Sequence, residues 1–196
     1  MIDYKIIHES NVYYEEKGFS RIEAPWTVSK PISDITKPES KQDFKIEYNQ
    51  KVLVASGEQS FLYLYLKQFL PKGKFQTTTP CFRDEIFDST HTKYFIKTEL
   101  IDTKIVTTKS LDEMVNKSLT FFSKYLSKET LSIDKSEEGF DINYNFLDKK
   151  YELGSYGIRE CDFLSWVYGT GCAEPRLSSI INLKRHGISL KRNTKR

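Results

Sequence analysis

The side chains with the most chemical potential lie between Lys74 and Asp102, in KFQTTTPCFRDEIFDSTHTKYFIKTELID. Two runs of strand length, Phe75 to Glu85 and Tyr94 to Leu100, are joined by a short loop rich in Asp, Ser and Thr, the pattern of a β-hairpin. Side chains alternate faces along a strand, so Arg83 and Glu85 share one face of the first, while Phe95, Lys97 and Glu99 share one face of the second. A planar guanidinium, carboxylates and an aromatic ring on one sheet surface suit a nucleotide. The guanidinium forks onto a phosphate, the ring stacks on a base, and a carboxylate meets a metal or an amino group. A half-solvated face with cross-strand ion pairs fits the same residues, and the hairpin alone leaves both readings open.

A second candidate is YGTGCAEPRLSSIINLKRHG. Gly169 and Gly171 allow a tight turn and close backbone approach, and Pro175 suits the first helical position. Leu177, Ile180, Ile181 and Leu183 predict a helix that ends near Gly187. Arg176 then sits in the first turn, where a cation opposes the helix dipole by about 0.5 kcal/mol. A bound anion accounts for that placement better than helix stability does. The alternative is an Arg paired with Glu174 or with another surface carboxylate.

The elements that must position these residues read as follows. An amphipathic helix runs to about Lys17, with Tyr4, Ile7 and Tyr14 on one side and Gly18 as its stop. A strand is expected in FSRIEAPW, with Pro25 at a sheet edge or an interface. Residues Ser29 to Gln42 read as a long exposed loop. Phe44, Ile46 and Tyr48, an Asn49-Gln50 turn, then Val52 and Val54 predict a second hairpin. SGEQSFLYLYLKQFLPKG predicts a helix capped by Ser56, with Glu58 and Gln59 in its first turn and its end at Pro71 and Gly73. Ser110 and Glu113 form an expected capping box, followed by a core stripe of Leu111, Met114, Val115, Leu119, Phe122 and Leu126. SKETLSIDKSEEGFD reads as a charged linker, and DINYNFL and KKYELGSYGIREC as two strands separated by a Lys-rich turn.

A chain of 196 residues suits one buried core, and its aromatic content favours sheet. The net charge of +3 is too small by itself to argue for nucleic acid. However, Lys184, Arg185, Lys191, Arg192, Lys195 and Arg196 crowd the C-terminus. No apolar run approaches membrane-spanning length, and MIDYKIIHES lacks the features of a signal peptide, so a cytosolic protein is expected. Cys81, Cys161 and Cys172 are odd in number and widely spaced, which predicts free thiols.

Taken together, these pieces resemble the three signature motifs of class II aminoacyl-tRNA synthetases, in the family's order. YEEKGFSRIEAPW resembles motif 1, ending in the dimer-interface proline Pro25. FRDE followed by HTKYFIKTE resembles motif 2, with Arg83, Glu85, His91, Phe95 and Glu99 at the expected spacings. GTGCAEPR resembles motif 3, with Arg176 as its arginine and Ala173 where the third glycine would stand. FRDE, the Gly57-Glu58-Gln59 turn and ELGSYGIR are most similar to the aspartate, asparagine and lysine branch. ELGSYGIR also resembles ammonia-dependent asparagine synthetase.

The resemblance implies an α+β fold, an antiparallel sheet flanked by helices, over residues 1–187, followed by a basic tail at 188–196. It implies ATP and Mg²⁺ as cofactors and a homodimer. Arg83 would hold the α-phosphate and the acyl carboxylate, Glu85 the adenine amino group, and Phe95 one adenine face. Arg176 would cover the other face and reach the γ-phosphate, His91 would sit by the outer phosphates, and Glu152 would bind magnesium. Glu58 and Gln59 become candidates for the amino group of an amino-acid substrate. The expected activity is ATP-dependent formation of an aminoacyl-adenylate, with transfer to tRNA or another acceptor. The alternatives are an amide-forming ligase on a small molecule and a non-catalytic synthetase paralog that binds tRNA or a regulatory partner. The chain is expected to lack room for an anticodon-binding domain, so any tRNA would be recognised through its acceptor end, with the tail as a candidate phosphate contact. A solvated tail without a partner is the other reading of those cations.

Overall fold

The computed structural model describes residues 1–46, 50–84 and 93–193, with the backbone path alone for 185–193. Helix α1 (Tyr4–Glu16) is capped by Asp3, whose carboxylate accepts from the amides of Lys5 at 2.9 Å and Ile6 at 3.3 Å. It stops as expected at Gly18, whose φ of +88° suits a residue without a side chain. The strand expected through Trp26 is only β1 (Ser20–Arg21), after which the chain changes sheets. Pro25 has no amide hydrogen for a ladder, and its carbonyl accepts the Ser60 hydroxyl at 2.6 Å instead.

The expected long loop is interrupted by β2 (Thr27–Ser29) and α2 (Lys30–Asp34), with Ile32 and Ser33 buried. Pro31 occupies the first helical turn, where its fixed φ starts a helix, so here it initiates structure. The second hairpin forms as β3 (Lys45–Ile46) and β4 (Lys51–Leu53), and β2 pairs with β4 to complete a small three-stranded sheet. Helix α3 (Gly57–Leu66) is capped by Ser56. It ends before the expected Pro71 because Gln68 turns into the left-handed region at φ +58°.

The main sheet contains β5 (Lys74–Phe82), β6 (Tyr94–Asp102), β7 (Leu131–Lys135), β8 (Gly139–Phe146), β9 (Lys149–Cys161) and β10 (Leu164–Glu174). Its order is β1-β5-β6-β10-β9-β8-β7, antiparallel except for β1 beside β5. The segment expected as a linker supplies β7. An edge strand needs little burial, and here Leu131 packs half-buried against the helical core while Ile133 stays exposed. Helix α4 (Thr108–Phe122) carries the expected core stripe. Its capping box is Thr107 with Ser110, three residues before the expected pair, because the Ser110 hydroxyl accepts the Thr107 amide at 3.0 Å. Helix α5 (Arg176–Asn193) continues past Gly187, where an end was expected.

Two cores lie on opposite faces of the main sheet. One gathers α1, α4 and α5 over Leu100, Val167 and Tyr156. The other gathers α3 and the small sheet over Ile101, Trp166 and Tyr168. Strands β6 and β10 therefore read as apolar on both sides, as central strands must. Their far ends stay uncovered by α3, and there the sheet opens.

Two bulges make that opening. In β10 the pairing with β6 skips Gly171, and in β9 the pairing with β8 skips Leu153. Each extra residue reverses which face the following side chains point to. Pairing of β9 with β10 ends at Tyr156 opposite Gly169, so carbonyls beyond it need other partners. The buried Tyr156 hydroxyl donates to Thr170 O at 2.6 Å, and the buried Tyr14 hydroxyl to Gly171 O at 3.0 Å. A Cβ at Gly171 would lie 2.8 Å from the Tyr14 ring, so the bulge and the tyrosine fit only with glycine.

Tyr14→Phe should strip a buried carbonyl of its donor and cost about 1–3 kcal/mol. The expected readout is a lower urea midpoint at unchanged slope. A wild-type midpoint would show that the hydroxyl is dispensable.

Candidate functional site

The opening is a cavity of about 280 Å³. Arg83, Phe95, Glu58, Gln59, Glu152 and Arg176 all line it, arriving from β5, β6, α3, β9 and the start of α5. The hairpin register explains the first two. Cys81 lies opposite Phe95, Thr79 opposite Lys97 and Thr77 opposite Glu99, so odd-numbered side chains of both strands share this face. Just beyond the paired residues, Arg83 continues that face. Its guanidinium carbon lies 5.2 Å from the Phe95 ring centroid, and its Nε donates to Ala55 O at 3.0 Å. Glu85 and His91 lie outside the described residues.

The bulges account for the other wall. In β9, Ser155, Gly157 and Arg159 alternate, and the extra residue at Leu153 sends Leu153 into the helical core and Glu152 to the cavity. In β10 the extra Gly171 places Ala173 opposite Lys97 on the cavity face. The glycines that were expected to make a tight turn therefore sit inside a strand. Close approach is what requires them: a Cβ at Gly169 would meet the Tyr156 ring at 2.5 Å.

Two buried carboxylates organise the floor. Glu99 accepts the Ser56 hydroxyl, the Gly57 amide and, at 2.8 Å, the Lys97 ammonium. Burial alone would raise its pKa, but the Lys97 charge and the Ser56 hydroxyl outweigh burial and hold it below the usual range. It stays charged and acts as a bolt between β6 and the start of α3.

Burial pushes the Glu58 carboxyl upward against the pull of Arg159. Its two oxygens accept the Trp166 indole N–H at 2.5 Å and an Arg159 N–H at 2.6 Å. Arg159 also bonds Glu138 at 3.2 Å and lies 4.1 Å from the Tyr168 ring centroid. Sequence reasoning did not single out Arg159, although it alternates with Ser155 and Gly157 in a strand already identified. Gln59 is engaged at both ends. Its oxygen accepts Ala55 N at 2.9 Å and its nitrogen donates to Ser33 O at 3.1 Å.

Arg176 pairs with Glu152 at 3.0 Å. Glu174, its other candidate partner, instead accepts Ser178 N at 2.9 Å and Asp3 N at 3.0 Å, capping α5 and tying it to the start of α1. The three cysteines are free thiols, and no helix among the described residues is long and apolar enough to cross a membrane.

No protein-family model and no curated protein matches the sequence. Among solved structures, the chain is similar to pyrrolysyl-tRNA synthetase from Desulfitobacterium hafniense, with a TM-score of 0.68 and 15% identity over 94% of this chain and 69% of that one. It is similar to seryl-tRNA synthetase from Pyrococcus horikoshii complexed with ATP, at a TM-score of 0.72 and 14% identity over 91% of this chain and 49% of that one. Cytoplasmic serine-tRNA ligase from Naegleria fowleri in complex with AMP gives a TM-score of 0.68 and 18% identity over 89% and 52%. The chain thus spans about half the length of the two seryl enzymes. An antiparallel main sheet, helices on both of its faces and this structural likeness show that the chain has the fold of a class II aminoacyl-tRNA synthetase catalytic domain.

Proposed function

We propose that the chain uses ATP to activate an amino acid as its adenylate and passes the acyl group to tRNA or another acceptor. The observation that supports this most is the convergence of Arg83, stacked against Phe95, with Arg176 and Glu152 on one cavity. Arg83 and Arg176, 93 positions apart in sequence, are brought to the same cavity. In this reading the adenine lies on Phe95, Arg176 covers its other face, and Arg83 holds the α-phosphate and the acyl carboxylate. Glu85 would take the adenine amino group and His91 the outer phosphates. The Glu58 and Gln59 end of the cavity receives the amino acid.

The chemistry needs no protein nucleophile. The amino acid's carboxylate oxygen attacks the α-phosphorus in line, the new O–P bond forms, and pyrophosphate leaves with the electron pair of the broken bond. The protein's work is to hold the two reactants in line and to place Arg83 where charge develops on the α-phosphoryl oxygens.

Among the described residues, no group of three His, Cys, Asp or Glu would hold a metal unaided. Magnesium nevertheless fits the donor set, since it is commonly held by one or two carboxylates together with substrate phosphates, and Glu152 offers one on the cavity wall. Bound there, the ion would neutralise phosphate charge, while Glu152 also keeps Arg176 oriented. A cytosolic homodimer meeting at Pro25 and Trp26 completes the proposal. Trp26 is 58% exposed, which is unusual for so large an apolar side chain and fits a surface that a second copy covers.

Pyrophosphate exchange screened over the standard amino acids tests the reading directly, and exchange with none of them would defeat it. Arg83→Ala should lower exchange by at least about a hundredfold, while the far-UV circular dichroism stays that of the folded chain. Glu152→Gln should raise the magnesium concentration needed for half-maximal exchange, and an unchanged requirement would remove Glu152 as a metal contact. Light scattering at micromolar concentration should give the mass of two chains, and Trp26→Glu should reduce it to one.

A further inference from the structure

One wall of the cavity comes from the segment between α2 and β3, where Thr36, Lys37, Pro38, Lys41 and Gln42 stand beside Arg83. The segment has no regular secondary structure of its own, so what holds it decides the shape of that wall. The holder is Asp43. Its side chain is 5% exposed, and it accepts the Ser33 hydroxyl at 2.8 Å. Its other oxygen faces Lys37 Nζ at 3.7 Å and Lys30 Nζ at 3.9 Å. Lys37, 10% exposed, in turn donates to Lys41 O at 2.8 Å and so sets the curve of the segment.

The same chain of bonds continues inward. Gln59 Nε2 donates to Ser33 O at 3.1 Å and to Ser33 Oγ at 3.2 Å. Gln59 Oε1 accepts Ala55 N at 2.9 Å, and Ala55 O accepts Arg83 Nε at 3.0 Å. A continuous polar path therefore runs from the cavity wall at Lys41, through Lys37, Asp43, Ser33, Gln59 and Ala55, to Arg83. Its central members are buried, where an unmade hydrogen bond is costly and the bonds reinforce one another.

We propose that Asp43 and Gln59 are positioning residues that hold segment 36–42 and the Arg83 guanidinium in one geometry, so that closing the wall on the phosphates and placing Arg83 are a single event. The proposal rests on the nucleotide reading of the cavity. The wall carries cations, Lys37 and Lys41, on the side where that reading puts ATP. A substrate that draws the segment inward pulls on Asp43, and the strain passes through Gln59 to the carbonyl on which Arg83 rests. Ligand in the cavity and order in the segment then favour each other.

Two variants break the path at different points. Asp43→Asn keeps an acceptor for the Ser33 hydroxyl and removes the charge facing Lys37 and Lys30. Gln59→Glu keeps the acceptor for Ala55 N and removes the donor to Ser33. Amide hydrogen exchange should rise about tenfold in both 36–43 and 54–57 for each variant, the scale of one lost buried bond, while β8 and β9 keep wild-type protection. A rise confined to 36–43 in Asp43→Asn would overturn the coupling. So would a rise throughout the chain in both variants, because the residues would then be merely structural.

In pyrophosphate exchange, Asp43→Asn should raise the KM for ATP about tenfold, with the KM for the amino acid unchanged and kcat reduced, because a small misplacement of a positioned group is costly. Equal effects on both KM values would count against it. If wild type exchanges with no amino acid, the adenylation reading falls, and the hydrogen-exchange result still decides the coupling.

Discussion

The Glu99 carboxylate is the contact from which the rest of the site takes its position. It sits in the middle of β6, buried, and receives the first amide of α3, the Ser56 hydroxyl and the Lys97 ammonium. A helix N-terminus carries partial positive charge and unsatisfied amides, so a carboxylate placed there gains both charge and hydrogen bonds. The contact also leaves no space: a Cβ at Gly57 would lie 2.9 Å from Glu99 Oε2 and 2.9 Å from Thr77. Helix α3 is thereby brought down onto the hairpin at one point. Glu58 and Gln59, the next residues along, reach the cavity as a consequence.

The second determinant is the local failure of sheet pairing. A continuous sheet through β6, β10 and β9 would present a flat, filled surface. Extra residues at Gly171 and Leu153 separate β10 from β9 beyond Gly169, and the tyrosine hydroxyls of Tyr14 and Tyr156 satisfy the carbonyls that lose their ladder. The helical layer thus supports the cavity from behind. Because α1 supplies Tyr14 and Asp3 reaches Glu174, the first turns of the chain are coupled to the end of β10, where Arg176 begins α5.

Charge balance on the floor is local. Glu99 is matched by Lys97, Glu58 by Arg159, and Glu152 by Arg176. The first two matches are deep, and the second ties α3 to β9. The third is at the rim, with Glu152 49% exposed at its side chain, where water screens the pair and weakens it. A polyanionic ligand can therefore compete for Arg176 far more cheaply than for Lys97 or Arg159.

How much of this was legible in the sequence depended on whether a residue's role is local. Alternation in the hairpin was enough to place Arg83 and Phe95 on one face, because the period of two along a strand is set by backbone geometry. Ser56 as a cap, Gly18 as a stop and the α4 stripe followed from nearest-neighbour chemistry in the same way. The motif order pointed to the fold that the main sheet has. Several readings that needed a distant partner failed. The charged stretch after α4 became strand β7 because β8 offered it a ladder, and α2 formed inside an expected loop because Ile32 could be buried. Arg159 and the bulges at Gly171 and Leu153 were invisible for the same reason. A bulge is a mismatch between two strands, and the Glu58 partner of the half-buried Arg159 guanidinium lies 101 positions away. Local sequence determined which side chains could do chemistry and which way each element turns them. Only the tertiary structure decided where the sheet opens and which carboxylates are consumed holding it open, since both depend on contacts between segments that no single stretch of the chain contains.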